Sequence, residues 1–161
     1  MRYLSSILLL CAVLSVAGCG WRLQGTEKLS QRMNVTFVDA DDRYTDFNRA
    51  LRERLRASGA KLTERSTDAT AVVRIIKDQS GQRVLSVSPR NTPEEYEVFY
   101  TVEYSVASGG AELIPPQRLE LTRDYSYDTT AVLAKQREQA ILREALAQDL
   151  AGLVLRRIAS L

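Results

Sequence analysis

From Glu95 to Val106 the chain alternates without a break. Tyr96, Val98, Tyr100, Val102, Tyr104 and Val106 fall on one parity, and Glu95, Glu97, Phe99, Thr101, Glu103 and Ser105 fall on the other. Successive side chains of a strand point to opposite faces, so this pattern predicts a half-buried antiparallel strand. Ser108-Gly109-Gly110 predicts a turn after it, and Pro115-Pro116 is expected to delay the next strand. Residues 119–127 alternate again and complete a hairpin. Upstream, Asn34-Val35-Thr36-Phe37-Val38 is a β-branched and aromatic run that stops at an Asp-rich stretch and predicts a strand. Ala71-Val72-Val73-Arg74-Ile75-Ile76 predicts another, followed by a turn at Ser80-Gly81 and a further extended piece over 83–88.

Two segments repeat at helical spacing instead. Tyr44, Phe47, Leu51 and Leu55 recur every three or four residues and end at Gly59, the signature of an amphipathic helix with a glycine C-cap. Arg49, Arg52, Glu53, Arg54 and Arg56 fill most of its other positions. That run reads either as a solvated face, its late arginines complementing the helix dipole, or as a binding patch. A long final helix is predicted over 131–159, with Asp128, Thr129 and Thr130 as N-cap candidates. Its stripe runs Leu142, Leu146, Leu150, Val154 and Ile158, widened by Ile141, Ala145 and Leu153. The order is β-α-β-β-β-α. A sheet with one apolar face and two helices with one stripe each bury those surfaces together as a two-layer α/β (α+β) sandwich, the helices on one face of a mixed four-stranded sheet.

The N-terminus has its own logic. Met1-Arg2 precedes an apolar stretch from Ile7 to Ala17, then Gly18-Cys19. A positive start, a short apolar core and small residues before a cut site make an export signal over 1–18, too short for a span of about 20 residues. Val16-Ala17-Gly18-Cys19 has the form of a bacterial lipobox, in which the cysteine is acylated and becomes the first mature residue. Cys11 lies within the signal, so no second cysteine remains to pair with Cys19 and a disulfide framework is excluded. Gly20, rather than Asp, after the cysteine suggests sorting to the outer membrane. The expected organisation is a signal over 1–18, a lipidated tether over 19–33 and a single domain over 34–161.

Composition narrows the chemistry. The chain has 161 residues, 45% hydrophobic and 26% charged, with no histidine and a formal net charge of +2. Losing Arg2 with the signal leaves 21 basic against 20 acidic residues, a balance that argues against bulk nucleic-acid binding. Without histidine the chain lacks the usual general base near neutral pH and the commonest metal ligand. No Gly-x-Ser-x-Gly elbow, phosphate-cradling glycine loop or zinc spacing occurs. Asp41-Asp42 and Glu94-Glu95 are sequence neighbours whose side chains point apart on extended backbone, so neither forms an acid/base pair. No enzyme and no metal are expected.

Several segments resemble one family, the LPS-assembly lipoproteins LptE. They are Gly18-Cys19-Gly20-Trp21-Arg22-Leu23-Gln24-Gly25, Glu95-Tyr96, Pro115-Pro116, Arg123-Asp124-Tyr125, Leu133-Ala134-Lys135 and the later Asp149, in that order. Gln24 departs from the family pattern, which often has arginine there. The resemblance implies the sandwich fold and a non-catalytic lipoprotein of the outer membrane. It would be anchored through N-acyl and S-diacylglycerol chains on Cys19, facing the periplasm and lying within the lumen of the β-barrel LptD. There the family plugs the barrel, assists its assembly and binds lipopolysaccharide during delivery to the outer leaflet. A lipoprotein scaffold for another envelope complex, without lipopolysaccharide contact, is the alternative reading.

Lipopolysaccharide carries phosphates beside its acyl chains, so binding it requires cations near apolar surface. The resemblance carries lipopolysaccharide contact over to Arg90, in the loop Ser88-Pro89-Arg90-Asn91-Thr92-Pro93, and to Lys135 at the start of the final helix. The row Tyr96, Tyr100 and Tyr104 reads either as a platform for acyl chains or as the core under the helices, and Tyr125 and Tyr127 share the ambiguity.

Overall fold

A computed structural model describes residues 29–128 and 130–161. The elements in chain order are β1 (Val35–Asp39), α1 (Asp46–Ala57), β2 (Lys61–Thr63), β3 (Ala71–Val87), β4 (Pro93–Ser108), β5 (Ala111–Ser126) and α2 (Val132–Ala159). The strands form one mixed sheet in the order β2-β1-β3-β4-β5. β1 runs parallel to β2 and β3, whereas β3, β4 and β5 form an antiparallel meander. The two helices pack on one face, as the apolar parities require.

The sheet has five strands, not four. Lys-Leu-Thr of β2 is too short to show alternation, and it exists because α1 returns the chain alongside β1. The expected turn at Ser80-Gly81 is absent: β3 runs unbroken from Ala71 to Val87. Gly81 is there for a different reason. It lies across from Phe99, and a Cβ on it would stand 2.6 Å from the ring's Cζ, so the glycine makes room for the aromatic side chain. Pro115-Pro116 likewise lies inside a strand. Tyr104 pairs with Gln117 and Val106 with Ile114, so the two prolines form a bulge. β5 is an edge strand, where a missing N–H costs no ladder bond. The turn at Gly109-Gly110 is as expected, with both glycines at positive φ (58° and 80°) in a two-residue hairpin loop.

α1 starts at Thr45, whose hydroxyl accepts from the Asn48 N–H at 3.1 Å, and ends before Gly59, at φ 94°. Phe47, Leu51 and Leu55 are fully buried. Tyr44, assigned to the same stripe, precedes the cap and is 89% exposed. On α2, Leu146, Leu150, Val154 and Ile158 are buried as the stripe predicts, while Ile141 is exposed because the helix start extends beyond the α1 contact. Asp128 and Thr130 do not cap α2, and Thr129 lies outside the described residues. Asp128 accepts instead from the Thr130 N–H and hydroxyl, and Ala131 occupies the cap position with no side-chain bond. Gln31–Met33, at the end of the expected tether, form one 3-10 turn that buries Met33 in the core.

The core lies between sheet and helices. Val73, Val98, Val102, Tyr104, Val106 and Ile114 from the sheet meet Phe47, Leu51 and Leu55 of α1 and the α2 stripe. Each fully buried side chain of this kind contributes about 1.5–3 kcal/mol. The opposite face is wet and charged. Arg83 pairs with Glu97 and stacks over Phe99 at 5.5 Å, and Arg118 lies 3.0 Å from Glu120. The Thr101 hydroxyl and the Arg118 guanidinium hold the Glu120 carboxyl below the usual carboxylate range.

One polar group is taken into the layer interface. Asp78 accepts from the Thr45 hydroxyl and, at 2.8 Å, from the Tyr100 hydroxyl, which itself accepts from the Phe47 N–H at 3.2 Å. A single carboxylate thus ties the start of α1 to β3 and β4. Burial pushes Asp78 up from its ordinary value of 3.8, outweighing the two hydrogen bonds, and burial together with Asp78 pushes the Tyr100 hydroxyl up, keeping it a donor.

Two outcomes follow from this packing. Because the folded pKa of Asp78 lies above its unfolded value, its contribution is fully present below about pH 3.8 and is lost as pH rises through the folded value. Thermal melts of wild type and Asp78→Asn should therefore diverge as pH is raised from about 4, with wild type losing stability relative to the neutral variant; parallel curves would exclude a buried charge cost. For the glycine, urea unfolding should find Gly81→Val less costly by about 1 kcal/mol in a Phe99→Ala background than in wild type.

Candidate functional site

The hairpin joining β3 to β4 is wired around Ser88. Its N–H donates to the Thr92 carbonyl at 2.8 Å, and its hydroxyl accepts from the Arg90 and Thr92 N–H groups at 3.3 and 3.2 Å. Asn91 takes the left-handed conformation, φ 57°, that asparagine tolerates better than most residues. Pro89 and Pro93 fix the backbone on either side of this turn. The result is a stiff tip presenting Arg90 to solvent, and among the described residues no ion pair engages its guanidinium.

Below the tip lies an open recess of about 480 Å³, lined by Ser88, Pro89, Arg90, Pro93, Tyr127 and Asp128 among others. Tyr127 is held at its rim by its N–H, which donates to the Glu94 carbonyl at 2.7 Å. Behind Tyr127 lie two further tyrosines. Tyr96 stacks on Tyr125 with ring centroids 5.8 Å apart and meets Tyr127 edge-on at 5.2 Å. The Tyr125 hydroxyl donates to Gln82 at 2.9 Å. Burial, then the neighbouring tyrosines and Glu138, push that hydroxyl up, so it stays neutral.

Lys135 also reaches this cluster. Its ammonium lies 6.0 Å from the Tyr125 ring centre and 2.8 Å from the Glu138 carboxylate. Asp128 lines the recess with its carboxyl held low by the Thr130 hydroxyl and N–H, with the Lys135 charge adding to the effect. Arg90 and Lys135, 45 positions apart in sequence, thus flank one tyrosine triad. Cys19 lies outside the described residues.

The structure also brings together segments that the sequence reads singly. Glu95 accepts from Ser86 across the β3–β4 ladder at 2.8 Å, beside Tyr96. Arg123, next to Asp124-Tyr125, donates to Asp149 of α2 at 2.8 Å and so fastens the helix over the same end of the sheet. Glu95-Tyr96, Arg123-Asp124-Tyr125, Leu133-Ala134-Lys135 and Asp149 are parts of one supporting assembly. Their order along the chain gives no hint of it, because the contacts cross three elements.

Of the tyrosines, Tyr100 and Tyr104 belong to the core, while Tyr96 and Tyr127 remain partly accessible at the recess end. Two of the four α1 arginines are engaged in ion pairs. Arg49 pairs with Asp46 at 2.7 Å and Arg52 with Glu64 at 2.9 Å, and Asp46 also takes Arg143 of α2 at 3.0 Å. No cluster among the described residues could hold a metal ion.

With this geometry in place, comparison with known proteins is direct. The family model for lipopolysaccharide assembly, LptE, matches residues 27–158. The chain is 28% identical over 160 residues to the LPS-assembly lipoprotein LptE of Pectobacterium atrosepticum, covering 98% of this chain and 86% of that one. It is 29% identical to the protein of that name from Yersinia enterocolitica, covering 98% and 77%. Among solved structures, rare lipoprotein B from Shewanella oneidensis superposes with a TM-score of 0.69 at 35% identity, over 79% of this chain and 95% of that one. A lipoprotein B from Nitrosomonas europaea, 23% identical, superposes with a TM-score of 0.72 over 88% and 91%, a likeness of fold.

Proposed function

Since this chain belongs to the LptE family of lipopolysaccharide-assembly lipoproteins, we propose that it is anchored in the outer membrane through acyl chains on Cys19 and faces the periplasm. In this reading it occupies the lumen of the LptD β-barrel as a plug and assembly factor, and it binds lipopolysaccharide through Arg90 and Lys135. The observation that carries the binding site is the placement of these two cations at one tyrosine cluster, Arg90 in the open recess it shares with Tyr127 and Lys135 over Tyr125.

The chemistry fits each residue to a separate task. Arg90 is unpaired among the described residues and sits on a stiff tip, so its planar guanidinium is available to take a phosphate through two parallel hydrogen bonds. Lys135 is a compact charge held against an aromatic face and a carboxylate, and it supplies a positive field without fixed geometry. The tyrosine rings between them offer a surface that is apolar in the middle and polar at its tips. The role is binding and plugging rather than catalysis, a view supported by the complete lack of histidine in the sequence.

Anchoring rests on Cys19. No helix among the described residues is long and apolar enough to cross a membrane. More than one acyl chain is needed for stable attachment, and a triacylated cysteine satisfies that need.

Two measurements test the proposal. Charge reversal at both cations, Arg90→Glu with Lys135→Glu, should weaken binding to purified lipopolysaccharide by about tenfold or more, the loss of two charge-assisted contacts. Circular dichroism should keep the wild-type spectrum, with the melt lowered only by the lost Lys135–Glu138 pair. Unchanged affinity would remove both residues from the site. Separately, Cys19→Ala should move the protein from the outer-membrane fraction to the soluble periplasmic fraction, and affinity purification of the unaltered protein from detergent-extracted outer membranes should recover a large β-barrel. Recovery of a different envelope complex would favour the scaffold reading.

A further inference from the structure

Exposed aliphatic side chains gather at the recess end. Val84, Leu85 and Val87 are 47%, 47% and 51% exposed at the end of β3, and Leu133 is 74% exposed in the first turn of α2. Single exposed aliphatic residues are ordinary; several together beside a charged recess mark a contact surface. The pairing register joins them. Val84 lies across from Tyr96 and Val87 across from Pro93. Tyr96 packs edge-on against Tyr127, and Pro93 and Tyr127 both line the recess that holds Arg90. Leu133 precedes Lys135 by two positions. Apolar surface therefore runs from the hairpin tip, past the tyrosines, to the start of α2.

The backbone bends to make this strip. Val84 pairs with Tyr96 and Ser86 with Glu95, so Leu85 drops out of the register, and a second shift follows between Ser86 and Val87. A bulge gives up ladder pairing and re-aims a side chain. Here the residue left without a partner is a leucine.

We propose that this strip takes the fatty-acyl chains of the anionic glycolipid whose phosphates Arg90 and Lys135 pair with. The inference rests on the lipopolysaccharide reading above and adds where the chains lie. Charge complementarity selects this occupant. An anionic amphiphile needs cations beside apolar surface; Val87 pairs with Pro93, which lines the recess holding Arg90, and Leu133 lies two positions before Lys135 on the helix. On the recess wall Arg90 stands against two carboxylates, Glu94 and Asp128, so its guanidinium offers a local contact for one phosphate and no extended positive field of the kind that attracts an anionic bilayer.

The test uses the full lipidated protein in phospholipid nanodiscs, with two probes: intact lipopolysaccharide and the same material with its acyl chains removed chemically, phosphates retained. Wild type should bind the intact probe about tenfold more tightly, the effect of burying two half-exposed aliphatic side chains. Leu85→Ser with Val87→Ser should erase that preference, lowering affinity for the intact probe and leaving the deacylated one unchanged. Both positions are exposed, so the melting profile should hold. Arg90→Glu should weaken both probes. A serine variant that keeps the full preference overturns the proposal, and one that keeps the preference but no longer co-purifies with the β-barrel assigns the strip to a protein wall instead. If Arg90→Glu binds both probes as wild type while the serine variant loses the preference, the phosphate assignment fails and the acyl strip stands. If wild type binds neither probe, both fall.

Discussion

The uneven wetting of the central sheet is the constraint from which the remaining architecture follows. β4 is flanked by long strands on both sides, and one parity of its side chains is buried almost completely while the other carries Glu95, Glu97 and Glu103. A shift of one residue in its register would exchange these sets and drive three carboxylates into the core. The cost of burying unpaired charge fixes the register, and the register fixes which side the helices must cover. Both helices accordingly lie on the same side, and the uncovered side is filled by ion pairs such as Arg118–Glu120. Exposed pairs of this kind contribute about 0–1 kcal/mol each. They make the wet face soluble; the buried face holds the fold.

What was legible in the sequence follows from that asymmetry. Strict alternation over 96–106 and the stripe from Leu146 to Ile158 are long, repeated signals, and each led to the observed element and face. The failures are local. β2 has three residues and owes its existence to its neighbour β1 rather than to any pattern of its own. Ser80-Gly81 has the composition of a turn, but the glycine yields space to Phe99 on the next strand, a contact 18 positions away that no local window contains. Pro115-Pro116 suggests interruption because proline forfeits a hydrogen bond, yet at a sheet edge that bond is not needed.

The site was legible in pieces. Arg90 and Lys135 came from family resemblance, and their separate neighbourhoods look like an ordinary loop and an ordinary helix start. What the sequence could not give is the tyrosine cluster that relates them. Tyr96 and Tyr125 are directly paired across β4 and β5, whereas Tyr127 and Lys135 arrive by way of the loop after β5 and the first turns of α2. That juxtaposition depends on how far α2 overhangs the sheet. Arg123–Asp149 bridges the two layers at this end, and a single chain read in order does not display it.

The overhang explains why an open, accessible end and a stable core can coexist in so small a protein. Along the helix-facing side of β3, Val73 is fully buried and Val84 is nearly half exposed, so cover thins steadily toward the hairpin tip. Core residues between Met33 and Ile158 lie under both helices; Arg90, the recess and the first turns of α2 lie past the start of α1. Changing a charge at the tip therefore removes no buried contact, and exposed substitutions away from caps and networks usually alter stability by no more than about 0.5 kcal/mol. The Asp78–Tyr100–Thr45 network marks the inner boundary of this arrangement. It locks the start of α1 to the sheet with part-buried hydrogen bonds, on β3 six residues before Val84. On its covered side, packing decides which residues are tolerated; on its open side, exposure to solvent leaves that constraint behind.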